Sequence, residues 1–358
     1  MSDRWQQAPG RRQARLGAPE ASGISGVLET IAAGFSLALS RPWLLLVPVI
    51  VDMVLWLGLQ VSAQPLTTPL GRLMAREGGE NGDLAAEQIT RFGERAHVND
   101  LIAWLIPSLF SGVPRDSLLS ALLSFLAPPL MDGVDREGMH ARWGDGLFQL
   151  WQPGHWSIVL LVAVVLLAIG SVLLVLFRVP LAQAVRGGRT NARRLVADLA
   201  LGWVRVLGLI TLIGLGAALA FGPLLVIAAV MLVFGVNVSA LLFLVLIVGG
   251  GMVAMYTLFT IDAIMLSRVG PLLGLRQSYE VVRVFFGPSV RFALCSLLIA
   301  TGSFQLWQAL IANPPGIIIS LLGNAFIGTG LILASMMFFH DRFRLLNHAT
   351  PLGGRGRS

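Results

Sequence analysis

Two carboxylic acids lie inside apolar runs of this 358-residue chain, where an ionised side chain is costly. Asp52 is nine positions into the first run, about 13 Å deep at 1.5 Å per residue. Asp262 lies nearer a membrane edge, six residues before Arg268. An acid at the centre of a bilayer costs roughly 2.5–3.5 kcal/mol. Each acid is therefore a candidate protonatable or ion-binding group, and the alternative is a hydrogen-bonded acid that locks helix packing.

Amide side chains in the later apolar runs could complete such a site. Gln305 and Gln308 lie toward one end of a run, and Asn324 lies nearer the middle of the next. Hydrogen bonding between helices is the ordinary role of such residues, but together with an acid they could line a polar cavity. An Arg at a helix end, Arg178 or Arg268, could also pair with Asp52. The predicted intramembrane polar site comprises Asp52, Asp262, Asn324, Gln305 and Gln308.

Several other chemistries are excluded by composition. All 26 basic residues are Arg, so there is no Lys for a P-loop or a Schiff base. The one cysteine, Cys295, excludes an intrachain disulfide and a thiolate zinc cage. The acids and His140 of "MDGVDREGMHARWGD", at 131–145, lack EF-hand spacing and predict a solvated acidic turn. We therefore expect no metal and no cofactor.

No catalytic set accompanies the acids. The chain lacks HExxH, GxSxG and a GxGxxG that follows a strand. Asp52 and Asp262 differ by about four residues, or roughly 6 Å, in predicted depth, which disfavours an aspartyl dyad. Because the Arg residues follow the predicted inner membrane edge and form no patch, nucleic-acid binding is not expected either. The sequence favours a non-enzymatic protein.

The elements that must position these residues are membrane-spanning helices. The chain is 55% hydrophobic and only 13% charged. Clear apolar runs of about 20 residues, enough to cross a bilayer, occur near 43–62, 156–177, 290–311 and 316–339. A 64-residue tract at 204–267 predicts two more spans that meet at "FGVNVS", where Gly235 and Asn237 favour a turn. The predicted fold is an all-α, polytopic transmembrane bundle of about six spans.

Charge asymmetry predicts the orientation of the bundle in the cell membrane. Residues 63–155 hold seven Arg and eleven acids, a net charge of −4, whereas the rest of the chain carries +11. Because cytoplasmic loops are enriched in Arg, both termini are predicted to be cytoplasmic and residues 63–155 extracytoplasmic.

Amphipathic stretches precede three of the outgoing spans. In "GPLLGLRQSYEVVRVFFGPSVRF" the apolar side chains and the charged ones separate on a helical wheel, which predicts a helix lying in the cytoplasmic interface. "GISGVLETIAAGFSLALSRPW" and "GGRTNARRLVADLALGWVR" share the pattern. Predicted contacts with anionic lipids are Arg276, Arg283, Arg193 and Arg194. "VGGGMV", at 248–253, is the place where a span could unwind.

The "GLRQSYEVVRVFFGPSVRFAL" pattern, a helix with a central Ser and aromatics that leads into a span, resembles a group of bacterial six-span proteins. That group includes uncharacterised families and the membrane domain found beside glycerophosphodiester phosphodiesterases. The resemblance covers roughly the last three spans. It implies a helical six-span fold and no activity, because the catalytic phosphodiesterase domain is missing from this chain.

The extracytoplasmic loop is predicted to be a helical domain of its own. A charged amphipathic helix at 81–96 precedes two apolar pieces, "LIAWLIPSLF" and "SLLSALLSFLAPPLM", neither of which is long enough to cross a bilayer. They are expected to be re-entrant, interfacial or packed as a cap. The predicted domains are a disordered cytoplasmic tail (1–23), an interfacial helix with the first span (24–62), the loop domain (63–155), a five-span bundle with interfacial helices near 187–203 and 271–286 (156–339), and a cytoplasmic tail (340–358).

Two functional hypotheses follow. The first is a membrane scaffold, assembly factor or partner-binding protein, which contacts lipids and binds a membrane protein through the extracytoplasmic loop. Interfacial helices and the missing catalytic set favour this hypothesis. The alternative is a transporter of a small molecule, ion or lipid that uses an intramembrane acid, favoured by Asp52, Asp262 and the repeated units.

Overall fold

A computed structural model describes most of the chain. The residues described are 25–77, 97–109, 150–187, 192–233, 239–311 and 314–349, with seven separate positions between 82 and 93. Several predicted features lie outside them: the tail at 1–23, most of the helix at 81–96, the apolar piece at 117–131, the acidic turn at 131–145 and the end of the C-terminal tail.

The described chain is helical almost throughout, which confirms the all-α class. Its two strands have two residues each, β1 (Gln60–Val61) and β2 (Leu150–Trp151), and they pair in parallel. The helices are α1 (Val27–Ser40), α2 (Leu46–Leu57), α3 (Gln64–Glu77), α4 (Asp100–Leu105), α5 (Trp156–Val185), α6 (Ala192–Val233), α7 (Ser239–Tyr256), α8 (Thr260–Ser267), α9 (Pro271–Val284), α10 (Phe286–Leu310) and α11 (Pro314–Ala349).

Five helical stretches of the described chain are long and apolar enough to cross a membrane. Four lie in α5, α6, α10 and α11, and the fifth, Val248–Ser267, joins α7 to α8. A sixth exists if α1 and the following Pro42–Leu57 form one span bent by 96°. The multi-pass membrane class follows from these helices.

The first predicted span differs from the straight helix expected at 43–62. A 3₁₀ turn over Pro42–Leu45 leads into α2, which ends at Leu57. Pro42 explains the bend, because proline disfavours helical geometry at the preceding Arg41 and has no N–H to donate. The span is therefore too short to pass as a membrane helix without α1.

Helix α1 lies antiparallel along α11, with small residues at the contact. A Cβ atom added to Gly34 would lie 2.5 Å from the Gly330 carbonyl oxygen and 2.6 Å from the Ala334 amide nitrogen. Farther along, the rings of Phe35 and Phe326 are 5.5 Å apart. Gly330 and Ala334, small residues four positions apart, thus allow the two helices to approach closely. The helix predicted to lie in the membrane interface contacts the last span between Phe326 and Ala334.

The amphipathic stretch near 187–203 is not separated from the span that follows it. Ala192–Val233 forms a single 42-residue helix that passes Pro223 without a break. The turn predicted at "FGVNVS" lies outside the described residues, which include α6 up to Val233 and α7 from Ser239.

The interruption of the next span does not occur at the glycines. Gly249–Gly251 lie within α7, so the predicted unwinding there is wrong, and the helix breaks at 257–259 instead. Ser278 of α9 closes this break: its Oγ accepts from Phe259 N at 3.1 Å and donates to Tyr256 O at 2.8 Å. The stretch predicted as an interfacial helix near 271–286 contains α9, whose buried face contacts α8.

We expect Gly34→Ala to lower stability, since the added methyl would meet backbone atoms of α11. Overpacking of this kind costs about 1–3 kcal/mol. The measurement is the thermal unfolding midpoint of purified protein in detergent. Gly302→Ala is the matched control, because a Cβ at this helical glycine meets nothing within 4 Å. Equal midpoints for the two variants would contradict the α1–α11 contact.

Candidate functional site

Part of the predicted extracytoplasmic loop descends into the helix bundle. A Cβ on Gly170 of α5 would lie 2.9 Å from Leu105 Cδ1, and one on Gly328 of α11 would lie 2.4 Å from Pro107 Cβ. Both glycines are 14 residues from the starts of their helices, about 21 Å at 1.5 Å per residue. Residues 97–109 therefore reach the middle of the bundle, and we call them the re-entrant segment; the chain that follows them, 110–149, lies outside the described residues.

The entrance of the re-entrant segment is held at the end of α2. Asn99 Oδ1 accepts from Val61 N at 2.8 Å, and Asn99 Nδ2 donates to Leu59 O at 3.0 Å. A bridge joins Ser62 to His97, and β1 pairs with β2 beside it. These bonds fix the register between the first span, the start of the segment and the start of α5.

Asp52 anchors the deep end of the segment. Both of its carboxylate oxygens lie 3.1 Å from Leu109 N, which donates to them, and both residues are fully buried. Leu109 follows the end of α4, and a backbone N–H that leaves a helix at membrane depth must find an acceptor within the protein. Asp52 therefore has a structural role, in agreement with the alternative that it is a hydrogen-bonded acid that locks the packing.

Asp262 has a different set of partners. Arg178 Nη1 of α5 donates to its Oδ1 at 2.7 Å, and Ser335 Oγ of α11 donates to its Oδ2. The Arg178 and Asp262 side chains are 4% and 2% exposed. Three spans meet at this buried ion pair. The pairing of Asp52 with Arg178 or Arg268 that the sequence allowed is not what the structure shows, because Arg178 pairs with Asp262 and Arg268 with Asp198.

The amides of the predicted site are not gathered around the two acids. Gln305 and Gln308 are exposed on α10. Asn324 is buried in α11, and its Nδ2 has no hydrogen-bond partner within the part of the chain that the structure describes. The two acids bind different partners on different helices. The described residues also contain no group of three His, Cys, Asp or Glu side chains that could hold a metal.

The predicted lipid-contact residues lie at helix ends and on exposed faces. Arg276 Nε donates to Glu280 Oε1 at 2.9 Å on the outside of α9, as the i, i+4 spacing predicts. Arg283 is exposed on the same helix. Arg193 and Arg194 belong to the first turn of α6.

A buried arginine near the end of α11 was missed by sequence reasoning. The Arg342 guanidinium carbon lies 3.3 Å from the centroid of the Phe338 ring, and Nη2 donates to Ser25 O at 3.4 Å, before α1. Its place beside the Arg-rich tail made it resemble a surface residue. The available signal was the i, i+4 spacing from Phe338, which lets a guanidinium stack on an aromatic face.

A second cluster lies where three spans end. Arg268 Nη2 pairs with Asp198 Oδ2, and Gln183 Nε2 donates to the same oxygen at 3.3 Å. Arg186 is the neighbouring cation, with Nη2 donating to Met265 O at 3.4 Å. Burial and then Arg268 lower the pKa of Arg186 from its ordinary value, while Asp198 raises it. We call these four side chains, Gln183, Arg186, Asp198 and Arg268, the span-end cluster.

Replacing Asp52 should distinguish an anchor from an ion-binding site. Asp52→Asn keeps an oxygen that can accept from Leu109 N, so we expect little change in stability. Asp52→Leu leaves that N–H without this acceptor, which costs about 1–3 kcal/mol. Thermal unfolding in detergent and limited proteolysis within 97–109 measure the effect. Equal losses for the two variants would contradict the hydrogen-bond role.

The Arg178–Asp262 pair predicts a strongly non-additive pair of substitutions. Arg178→Leu or Asp262→Leu alone leaves one buried charge uncompensated, which costs about 3–5 kcal/mol. The double variant removes both charges and should recover most of that loss. A double-mutant cycle on unfolding midpoints tests this coupling, and additive losses would refute it.

The comparisons with known proteins found no match: no family model, no curated protein and no solved structure is similar to this chain at a significant level.

Proposed function

We propose that the protein is a non-enzymatic membrane scaffold that binds a transmembrane helix of another membrane protein through α6 and α7. The observation that carries the proposal is the exposure of α6 at 213–220, where eight consecutive residues are all exposed. At 100° per residue these positions pass all the way around the helix, so α6 has no face packed on the bundle there.

The composition of this part of α6 suits contact with another helix. Five of the eight residues are glycine or alanine, and a Cβ added at Gly214 or Gly216 would meet nothing within 4 Å. Small residues let two helix backbones approach closely in a membrane. Gly214 and Ala218 have the same spacing of four as Gly330 and Ala334, which contact α1, but a Cβ added at Gly214 meets no other helix of the described chain.

The cost of these glycines supports a partner over lipid alone. Glycine inside a helix is about 0.8–1 kcal/mol less favourable than alanine, and lipid chains need no flat helix surface. The residues from Val206 to Ile261 include no charged side chain, so the complementary surface is apolar, as a transmembrane helix would be.

The roles of the acids support a scaffold over an enzyme. Asp52 holds the re-entrant segment, and Asp262 is neutralised by Arg178. Both bind groups of the protein itself, and neither contacts a second acid in the hydrogen bonds and ion pairs described above. These contacts fit a scaffold, in which the acids hold the helices of the bundle together.

Photo-crosslinking tests the scaffold. A crosslinking amino acid at Leu219, which is 69% exposed, should yield an adduct with another membrane protein in cells. The same amino acid at Val164 on α5, 64% exposed, should yield only lipid adducts. Gly216→Leu should reduce the Leu219 adduct, whereas Gly302→Leu should not, since both glycines have open space but only Gly216 is on the proposed surface.

Three outcomes would overturn this proposal. They are lipid adducts alone at Leu219, equal protein adducts at Leu219 and Val164, and an adduct formed solely with a second copy of this chain. The last outcome would replace a partner protein with self-association.

Transport is the second candidate, supported by the interrupted helices. Transporters build their binding sites from discontinuous helices. The interruptions in this chain include the bend of 96° after α1, the break between α7 and α8, and the re-entrant segment. If Asp52 binds a transported ion or proton, Asp52→Asn should abolish cellular function while unfolding remains normal. Retained function in that variant would favour the scaffold.

A further inference from the structure

We propose that the span-end cluster binds the phosphate group of an anionic phospholipid. The inference goes beyond the scaffold and does not rest on it, since it requires only that these helices cross a membrane. It concerns arginines other than the exposed Arg276 and Arg283 of α9.

The position of the cluster matches the depth of lipid headgroups. Arg186 directly follows Val185, the last residue of the α5 span, and Arg268 directly follows Ser267, the last residue of the α7–α8 span. Asp198 lies three residues into the span that begins at Leu195. Three spans therefore reach the same membrane edge at this cluster, the edge that the charge asymmetry predicts to be cytoplasmic.

The charge of the cluster leaves one positive charge uncompensated. Arg186 and Arg268 carry two positive charges, and Asp198 carries one negative charge. Gln183 and Arg268 both use the same oxygen of Asp198. A phosphodiester, with a single negative charge, is the complement of this set. It would also relieve the repulsion between the two neighbouring guanidinium groups.

The donors of the cluster are positioned by the backbone of two helix ends. Arg186 Nε donates to Ala182 O at 3.2 Å, while Nη2 reaches Met265 O, so the side chain is held between the ends of α5 and α8. Arg268 has a φ of 55°, a left-handed backbone that a non-glycine residue adopts at a cost. Its side chain is 49% exposed, and a guanidinium has five N–H groups, which suits phosphate geometry.

We assign the phosphate to a lipid and not to a free ion, because the cluster lies at the ends of membrane-spanning stretches. Each cation directly follows a membrane-spanning stretch, and Val196 and Leu201 of α6, close to Asp198 in sequence, are exposed apolar side chains. These side chains can contact the acyl chains of the same molecule whose phosphate the arginines bind.

Lipid-dependent stability tests the site. Full-length protein in vesicles or nanodiscs of phosphatidylcholine is titrated with phosphatidylglycerol, and the unfolding midpoint and the lipid retained in native mass spectra are measured. We expect phosphatidylglycerol to raise the midpoint and to be retained by the wild-type protein. Arg268→Gln should weaken this lipid's apparent affinity about tenfold, the loss of one charge-assisted hydrogen bond.

Two matched variants separate the cluster from general surface charge. Arg276→Gln removes an exposed Arg that also has a carboxylate partner and is a predicted lipid contact outside the cluster, so it should weaken the phosphatidylglycerol effect much less than Arg268→Gln does. Asp198→Asn raises the local charge by one and should increase retention of the lipid, an effect opposite in sign to Arg268→Gln. Arg268→Gln and Asp198→Asn together test the site without a substitution of Arg186, whose side chain joins two helix ends.

The proposal is overturned if Arg268→Gln and Arg276→Gln weaken binding equally, or if phosphatidylcholine and phosphatidylglycerol stabilise the protein equally. It is also overturned if inorganic phosphate raises the midpoint in phosphatidylcholine as much as phosphatidylglycerol does, because the ligand would then be the free ion. These outcomes do not depend on the crosslinking test of the proposed scaffold, because the lipid site requires only that the helices cross a membrane.

Discussion

Backbone groups that leave a helix inside a bilayer have no water to bind, and this constraint explains the placement of the polar side chains in the bundle. Asp52 accepts the N–H of Leu109 at the bottom of the re-entrant segment. Ser278 binds both sides of the break between α7 and α8. Asn99 does the same for the chain that leaves α2. At each of these three places one polar side chain from another element binds the backbone that the interruption exposes.

The buried charged side chains of the bundle also have specific partners. Arg178 and Ser335 both donate to Asp262, so these side chains join three spans, and the guanidinium of Arg342 stacks on the ring of Phe338. A lone charge in these places would be costly, so the arginines and acids are effective in specifying which helices meet. The span-end cluster differs, because its two cations are accompanied by a single carboxylate, which Arg268 binds and Arg186 does not contact.

The sequence was sufficient for features that depend on local chemistry and insufficient for those that depend on contacts between distant residues. Apolar length predicted the spans, and the separation of apolar from charged side chains on a helical wheel predicted a helix where α9 lies. The use of Asp52 could not be predicted, because its partner is 57 residues away and offers a backbone N–H that every residue type but proline has. Likewise, Gly249–Gly251 remain helical, and nothing local marks 257–259 as the break that Ser278 closes.

The contact between Pro107 and Gly328 has a consequence for how the protein is made. A chain inserted from its N-terminus exposes the re-entrant segment long before α11 is synthesised. The segment cannot reach its final position until the last span is in the membrane, and α1 must also wait for α11 to supply Gly330 and Ala334. Assembly of the bundle is therefore completed from its end, and a nascent chain truncated before α11 would lack the contacts that hold both its first helix and its loop.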